Sequence, residues 1–255
     1  MTMPVHSTRL GQLRRVAVAL AALFALTMVT GCQADAEPRP LTAEEAQVLA
    51  QTRLRNDVAG VRQASFSVTD QSLTYEITAW IDFPAKIGYG TATSPDTDEV
   101  LSLAWSDSWI ASQPGVAGQM PPIPPTAEGW NVSALLPEQS RLHAILAVLL
   151  TLGSGQPDNP LLLAQTDARW IREDTVFDTP VTVFRGPSSD EVDTGDPSAE
   201  GTGPLYWVTE DGTLLRMETV LGGSGELVVV EFTDADQVPF AEVLSQLGES
   251  AAPAA

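Results

Sequence analysis

From residue 73 to residue 82, Leu73, Tyr75, Ile77, Ala79 and Ile81 alternate with Thr74, Glu76, Thr78, Trp80 and Asp82, the period of two that gives a strand one apolar face. Weaker alternations predict strands at about 61 to 69, 86 to 93, 99 to 105 and 107 to 112, with turn-forming pieces such as Ser94-Pro95-Asp96 between them. The same pattern returns at about 168 to 174, 180 to 185, 204 to 209, 213 to 220 and 226 to 232, where Glu210-Asp211-Gly212 is a hairpin signal. Helical spacing marks four other places. Thr42 and Glu45 form a capping box ahead of Ala46, Leu49, Ala50, Arg53 and Leu54, predicting a helix over about 43 to 57. Pro137 stands where a first helical residue belongs, and Leu142, Ile145, Leu146, Leu149 and Leu150 make a helix of about 138 to 152 that is apolar almost all round. Asn159-Pro160 caps a short turn through Leu163, and Phe240, Val243, Leu244 and Leu247 form a last stripe ended by Gly248. Pro114, Pro121, Pro122, Pro124 and Pro125 make residues 114 to 130 a loop.

Ahead of this body, Arg9, Arg14 and Arg15 precede an apolar run from Val16 to Val29 that ends in Thr30-Gly31-Cys32. The run is about 14 residues, short of the ~20 that span a bilayer, and small residues precede the only cysteine of the chain. That pattern predicts a signal peptide over 1 to 31 and a bacterial lipobox, with Cys32 becoming a lipid-bearing (palmitate-type) mature N-terminus. Residues 33 to 40 then form a tether with Pro38 and Pro40, residues 41 to 248 a single domain, and 249 to 255 a disordered tail. The expected location is the extracytoplasmic face of the cell membrane.

Charge narrows the partners. Without residues 1 to 31 the chain carries 10 basic against 33 acidic side chains, a formal charge of about −23. Such a field repels phosphate backbones and excludes nucleic acid as a partner, so membrane attachment falls to the lipid on Cys32. With Cys32 consumed and His143 the only histidine left, thiolate zinc sites, redox dithiols, cysteine nucleophiles and two-histidine metal sites all drop out. No catalytic residue, metal or cofactor is assigned, and the chain is read as a non-enzyme. Asp190, Glu191, Asp193 and Asp196 fail the calcium-loop register, because Val192 and Gly201 fall on ligand positions.

Asp178-Thr179-Pro180-Val181-Thr182-Val183-Phe184, the run from Tyr206-Trp207-Val208 through Asp211-Gly212 to Leu214-Leu215-Arg216, and the strand from Val228 to Phe232 together resemble the second half of the lipoprotein-carrier superfamily. That superfamily includes the LolA and LolB transporters and the actinobacterial lipid-binding lipoproteins of the LppX and LprG type. The resemblance implies an α+β fold in which a highly curved antiparallel sheet of about ten strands, a half-barrel, wraps a few helices. It also implies a membrane-anchored lipoprotein that binds or carries a lipid, a glycolipid or another apolar ligand. The candidate cavity lining is Tyr75, Ile77, Ile81, Leu103, Leu142, Ile145, Leu146 and Leu149, with the loop from Pro114 to Pro125 as a lid. The same side chains also suit a filled core, so a second reading stands beside the first: a protein-interaction or sensory module on the same scaffold with a closed core, its protein partner unknown. Trp80 and Trp170 fall on the more polar face of their strands, which predicts partial exposure.

Overall fold

The computed structural model describes residues 37–126, 128–188, 203–221, 226–236 and 238–251, with side chains to residue 247. The signal segment, Cys32, most of the tether, the tail and the acidic stretch holding Asp190, Glu191, Asp193 and Asp196 lie outside them.

Both halves of the capping box form at the start of α1 (Ala43–Ala59): Thr42 accepts from the Glu45 backbone N–H while the Glu45 carboxylate takes the Thr42 N–H. The next helix, α2 (Arg141–Thr151), begins later than its apolar pattern predicts, because Ser140 supplies the cap and accepts from the His143 N–H. Its C-terminus is closed by the Lys86 ammonium, which donates to the Leu150 carbonyl at 2.8 Å and also to that of Gly153. Asn159 caps α3 (Pro160–Leu163) with Pro160 at the first position, as its sequence predicts. The last helix is α4 (Ala241–Ala251).

The strands are β1 (Arg39–Pro40), β2 (Val61–Asp70), β3 (Leu73–Asp82), β4 (Ile87–Ser94), β5 (Glu99–Trp105), β6 (Trp109–Pro114), β7 (Asn131–Ala134), β8 (Arg169–Val176), β9 (Thr179–Arg185), β10 (Leu205–Val208), β11 (Leu214–Val220) and β12 (Leu227–Asp234). They form one open antiparallel sheet in the order β1-β8-β9-β10-β11-β12-β2-β3-β4-β5-β6-β7. Twelve strands among the described residues therefore replace the expected ten. The additions are the two edges, and β1 takes the last two residues of the predicted tether into the sheet through Arg39 opposite Trp170 and Pro40 opposite Arg169. Short edge strands limit what the open margins can pair with.

One face of ten strands, β2 to β6 and β8 to β12, contributes side chains to a single apolar cluster that also holds Leu49 of α1 and Ile145, Leu146, Leu149 and Leu150 of α2. Ten flat strands would span about 45 Å, whereas a helix with its side chains is about 10 Å across. Convergence on the helices thus requires the sheet to wrap around them. The outer face is covered over β2 to β6 as well. Phe240, Leu244 and Leu247 pack there against Val61, Ile87, Tyr89, Trp109 and Ala111, joined by Ile123 and Trp130. Residues from Glu37 onward make one compact unit with its own core, the property of a segment able to fold alone.

Candidate functional site

All eight residues expected to line a cavity come together around α2; the space among six of them is occupied, while Tyr75 and Leu142 lie at its edge and face a hollow of about 450 Å³. Ile77, Ile81, Leu103, Ile145, Leu146 and Leu149 are each 3 % exposed or less, with Tyr75 and Leu142 half-buried against them. Trp105 does much of the filling. Its ring lies over Gly88, where an added Cβ would come within 2.1 Å of it, and its indole N–H donates to the Leu146 carbonyl at 3.1 Å. The Pro-rich loop does not lie over this region. The Tyr89 hydroxyl donates to the Pro122 carbonyl at 2.9 Å and Thr91 Oγ1 to that of Gln119 at 3.0 Å, and both side chains point to the face opposite Ala92 and the inner cluster. The expected lid is an outer-face strap. Trp80 is half-buried beside Phe240, whereas Trp170, contrary to expectation, is buried, with the Arg39 guanidinium 4.5 Å above its ring.

An open space of about 400 Å³ lies elsewhere on the inner side, between α1, the end of α2, α3 and β10. That volume falls in the ordinary range for small-molecule sites. Leu49, Thr52 and Arg53 come from one stripe of α1, Thr151 and Leu152 from the end of α2, Leu163 from α3 and Tyr206 from β10, with Asp158 and Pro187 at its margins. Arg53 ties the walls together, donating from Nε to the Thr151 carbonyl at 2.9 Å and from Nη1 to Asp158 Oδ1 at 2.9 Å. Ser154 and Asp158 donate from their backbones to the Arg53 and Ala50 carbonyls, so the segment ahead of α3 runs along α1. Below, the buried Asn56 donates to the Leu152 carbonyl and accepts from Arg62 Nη1 at 3.0 Å, fixing α1 to the end of α2 and to β11.

Two of the lining residues carry hydroxyls with no hydrogen bond to a described residue. Thr52 is 5 % exposed and its Oγ1 is buried with no hydrogen bond. The Tyr206 phenol is pushed up to about 12 by burial, with no hydrogen bond to a described residue. It is therefore neutral and available as a donor at any physiological pH. Gly186 gives the Tyr206 ring its place, since a Cβ there would sit 2.7 Å from Cε2. A buried hydroxyl left unpaired, as that of Thr52 is, costs about 1–3 kcal/mol, so a groove that sets Leu49, Leu152, Leu163 and the Tyr206 ring beside Thr52, Arg53, Thr151 and Asp158 suits a ligand with an apolar body and one polar group. None of the eight expected residues lines it. Thr52 and Asn56 read as surface positions by polarity, yet their spacing of three and seven residues from Leu49 places them on the same stripe.

At the other end of α2, Asp70, Ser140 and His143 meet beside a hollow that Tyr75 and Leu142 also line. Ser140 Oγ donates to Asp70 Oδ2 at 2.7 Å, and His143 Nδ1 accepts the Leu136 N–H at 3.0 Å. In a nucleophilic triad the hydroxyl bonds the imidazole and the imidazole bonds the carboxylate; here those links are absent, Ser140 and Asp70 cap the start of α2, and the imidazole holds the segment ahead of it through Leu136. Burial holds the His143 imidazole below its ordinary value, partly offset by Asp70. Among the described residues no cluster of His, Cys, Asp and Glu could hold a metal, and no helix is long and apolar enough to cross a membrane.

No family model and no curated protein matches the chain. Solved structures similar to it include the following two. The Mycobacterium tuberculosis lipoprotein LppX is 13 % identical, with a TM-score of 0.37 over 74 % of this chain and 96 % of that one. An uncharacterized conserved protein from Thermus thermophilus is 11 % identical, with a TM-score of 0.35 over 74 % of this chain and 86 % of that one. The functional reading rests on the groove itself.

Proposed function

We propose that the chain is a bacterial lipoprotein, held outside the cytoplasmic membrane by acyl chains on Cys32, whose domain binds or carries a lipid or other apolar ligand in the groove between α1, α3 and β10. No reaction is proposed. The observation that carries the reading is the Thr52 hydroxyl, buried and unpartnered on a lining residue of a groove whose other walls set Leu49, Leu152, Leu163 and the Tyr206 ring beside Thr151 and the Arg53–Asp158 ion pair. Hydrocarbon entering there gains about 0.8 kcal/mol for each buried methylene, and the two hydroxyls fix the ligand's polar end. The filled space around Trp105 limits that ligand to what the groove holds, a single chain rather than a bulky many-chained lipid.

The test is native mass spectrometry of residues 37–255, followed by solvent extraction and by addition of a long-chain fatty acid or a lysophospholipid. A stoichiometric adduct that Leu163→Trp abolishes supports the groove as its seat. A clean mass that takes up neither probe favours the second reading, a closed-core interaction or sensory module. The packing of Ile81, Leu103, Ile145, Leu146 and Leu149 around Trp105 speaks for that alternative.

A further inference from the structure

The turn that walls the groove also presents bare hydrocarbon to the outside. In α3, Leu163 turns inward while Leu161 and Leu162 are 72 % and 59 % exposed. Their backbone is well held: the Asn159 side chain accepts from both their N–H groups, and Ala164, Gln165 and Thr166 donate in turn to the carbonyls of Pro160, Leu162 and Leu163. Two adjacent leucines are thus fixed outward on an ordered turn at the rim of an apolar groove.

From Thr166 the chain passes directly into β8, which pairs with β1 through Arg169 opposite Pro40. The segment that leads back to Cys32 therefore leaves from the same edge of the sheet, and the seven residues from Cys32 to Arg39 reach at most about 25 Å. That edge also carries an unusual pair of charges. Arg169 stands directly across from Arg185 in the β8–β9 register, and like charges so placed repel. Among the described residues neither forms a salt bridge; Arg169 donates only to the Thr166 and Ala168 carbonyls, and Arg185 Nε is buried with no partner. Asp167, the nearest carboxylate in sequence, accepts from the backbone and hydroxyl of Ser188. Burial pushes its carboxyl up, but those bonds and, to a lesser degree, the charge of Arg169, with which it forms no salt bridge, hold it below its ordinary range.

We propose that Leu161, Leu162, Arg169 and Arg185 form a patch that docks on the phospholipid bilayer. The leucines enter the acyl boundary, the two guanidiniums take lipid phosphates, and the mouth of the groove is brought to the membrane surface so that its ligand passes directly from the bilayer. This rests on the reading of the groove as a lipid site and of Cys32 as the anchor. Charge separates the patch from the rest of the chain: beyond residue 31, 33 acids against 10 basic residues repel an anionic surface where arginines do not gather.

Flotation of residues 37–255 with phosphatidylcholine vesicles containing phosphatidylglycerol as the minor lipid tests the proposal. The native sequence floats with the vesicles. Leu161→Ser with Leu162→Ser lowers the bound fraction at least about tenfold, and Arg169→Gln with Arg185→Gln lowers it by a similar factor while removing its dependence on phosphatidylglycerol and on salt. The proposal is overturned if the native sequence stays unbound, or if either double variant floats as the native sequence does. Capture of another protein through the leucines, with no flotation, overturns it as well. Failure of the groove reads out separately, because Leu163→Trp abolishes uptake of the single-chain probe and leaves flotation intact.

Discussion

The two ends of the inner face use the same materials to opposite effect. Under β2 to β6 a helix apolar almost all round meets a sheet whose glycine at 88 admits the flat ring of Trp105, and the space around that ring is filled. Under β9 to β11 the helix is α1, whose inward stripe includes Thr52 and Asn56. A tyrosine there faces hydroxyls and an ion pair, and about 400 Å³ stays unfilled. Apolar side chains close a space because dispersion and water exclusion both reward contact. Polar side chains hold one open when their partners are not supplied from within the chain. The hydrophobic segment is therefore the scaffold, and the mixed one is the site.

The largest effect expected on this contrast comes from Trp105→Ala. Removing a fully buried indole and its bond to the Leu146 carbonyl should cost about 3–5 kcal/mol by chemical denaturation and open a cavity at the filled end. A loss under about 1 kcal/mol means the ring is not what closes that end, and the distinction between the two ends falls.

At the other end the sign reverses. Thr52→Val keeps the shape and removes the orphan hydroxyl, so it should stabilise the ligand-free domain by about 1 kcal/mol while weakening retention of the single-chain probe. Stability measured in the absence of ligand and probe retention by native mass spectrometry read the two effects independently. A destabilised Thr52→Val would mean that the hydroxyl has a partner in solution and that the groove is structural.

How far the sequence reveals this contrast follows from what each signal encodes. The ten longer strands, the capping box at Thr42 and Glu45, the Asn159-Pro160 turn and the Asp211-Gly212 hairpin are local patterns, set by periods of two and 3.6 and by turn chemistry, and they are legible. The edges β1 and β7 are not, since β1 has two residues and carries no period, and the four of β7 follow a Pro-rich loop without the hairpin signal that marks β10. Whether Ile145 and Leu146 line a void or fill one depends on where Trp105 lies, and period-two alternation gives the face of a residue without saying what meets it across the core. The same limit misplaces the Pro-rich loop, whose partners Tyr89 and Thr91 lie on the outer face. Thr52, Asn56 and Arg62 are overlooked for another reason: polarity reads as surface, and only their position on the Leu49 stripe or between buried strand residues marks them as interior.

Acidification should act on the closed end alone. His143 is held below its ordinary value by burial and uses Nδ1 to accept the Leu136 N–H. The unfolded chain therefore binds a proton more readily than the folded one, and this contribution to stability is present above about pH 6.5 and is lost as the pH falls through the lower folded value. Thermal unfolding of the native sequence against His143→Gln should show a difference that narrows or inverts on going from neutral pH to pH 5. Neither hydroxyl of the groove titrates in that window, so retention of an uncharged single-chain probe, such as a monoacylglycerol, should stay level while the melting temperature drops. A parallel loss of retention would tie the groove to the far end of α2.

The smallest effect compares the two ends through matched turns. The β2–β3 hairpin turns through Gln71 and Ser72, and the β8–β9 hairpin through Phe177 and Asp178, all four with φ between 48° and 74°. Two-residue turns of this hand favour glycine and asparagine, because a side chain in the left-handed region costs about 1 kcal/mol. Ser72→Gly and Asp178→Gly should each stabilise by about 0.5–1 kcal/mol, equally at the two ends and without changing probe retention, since a turn relieves strain locally and packs on neither region. If Asp178→Gly alone weakens retention, the strand pair behind the groove transmits its conformation to Tyr206 through β9, which lies between β8 and β10. The open end would then depend on the rigidity of its own strands in a way that the filled end does not.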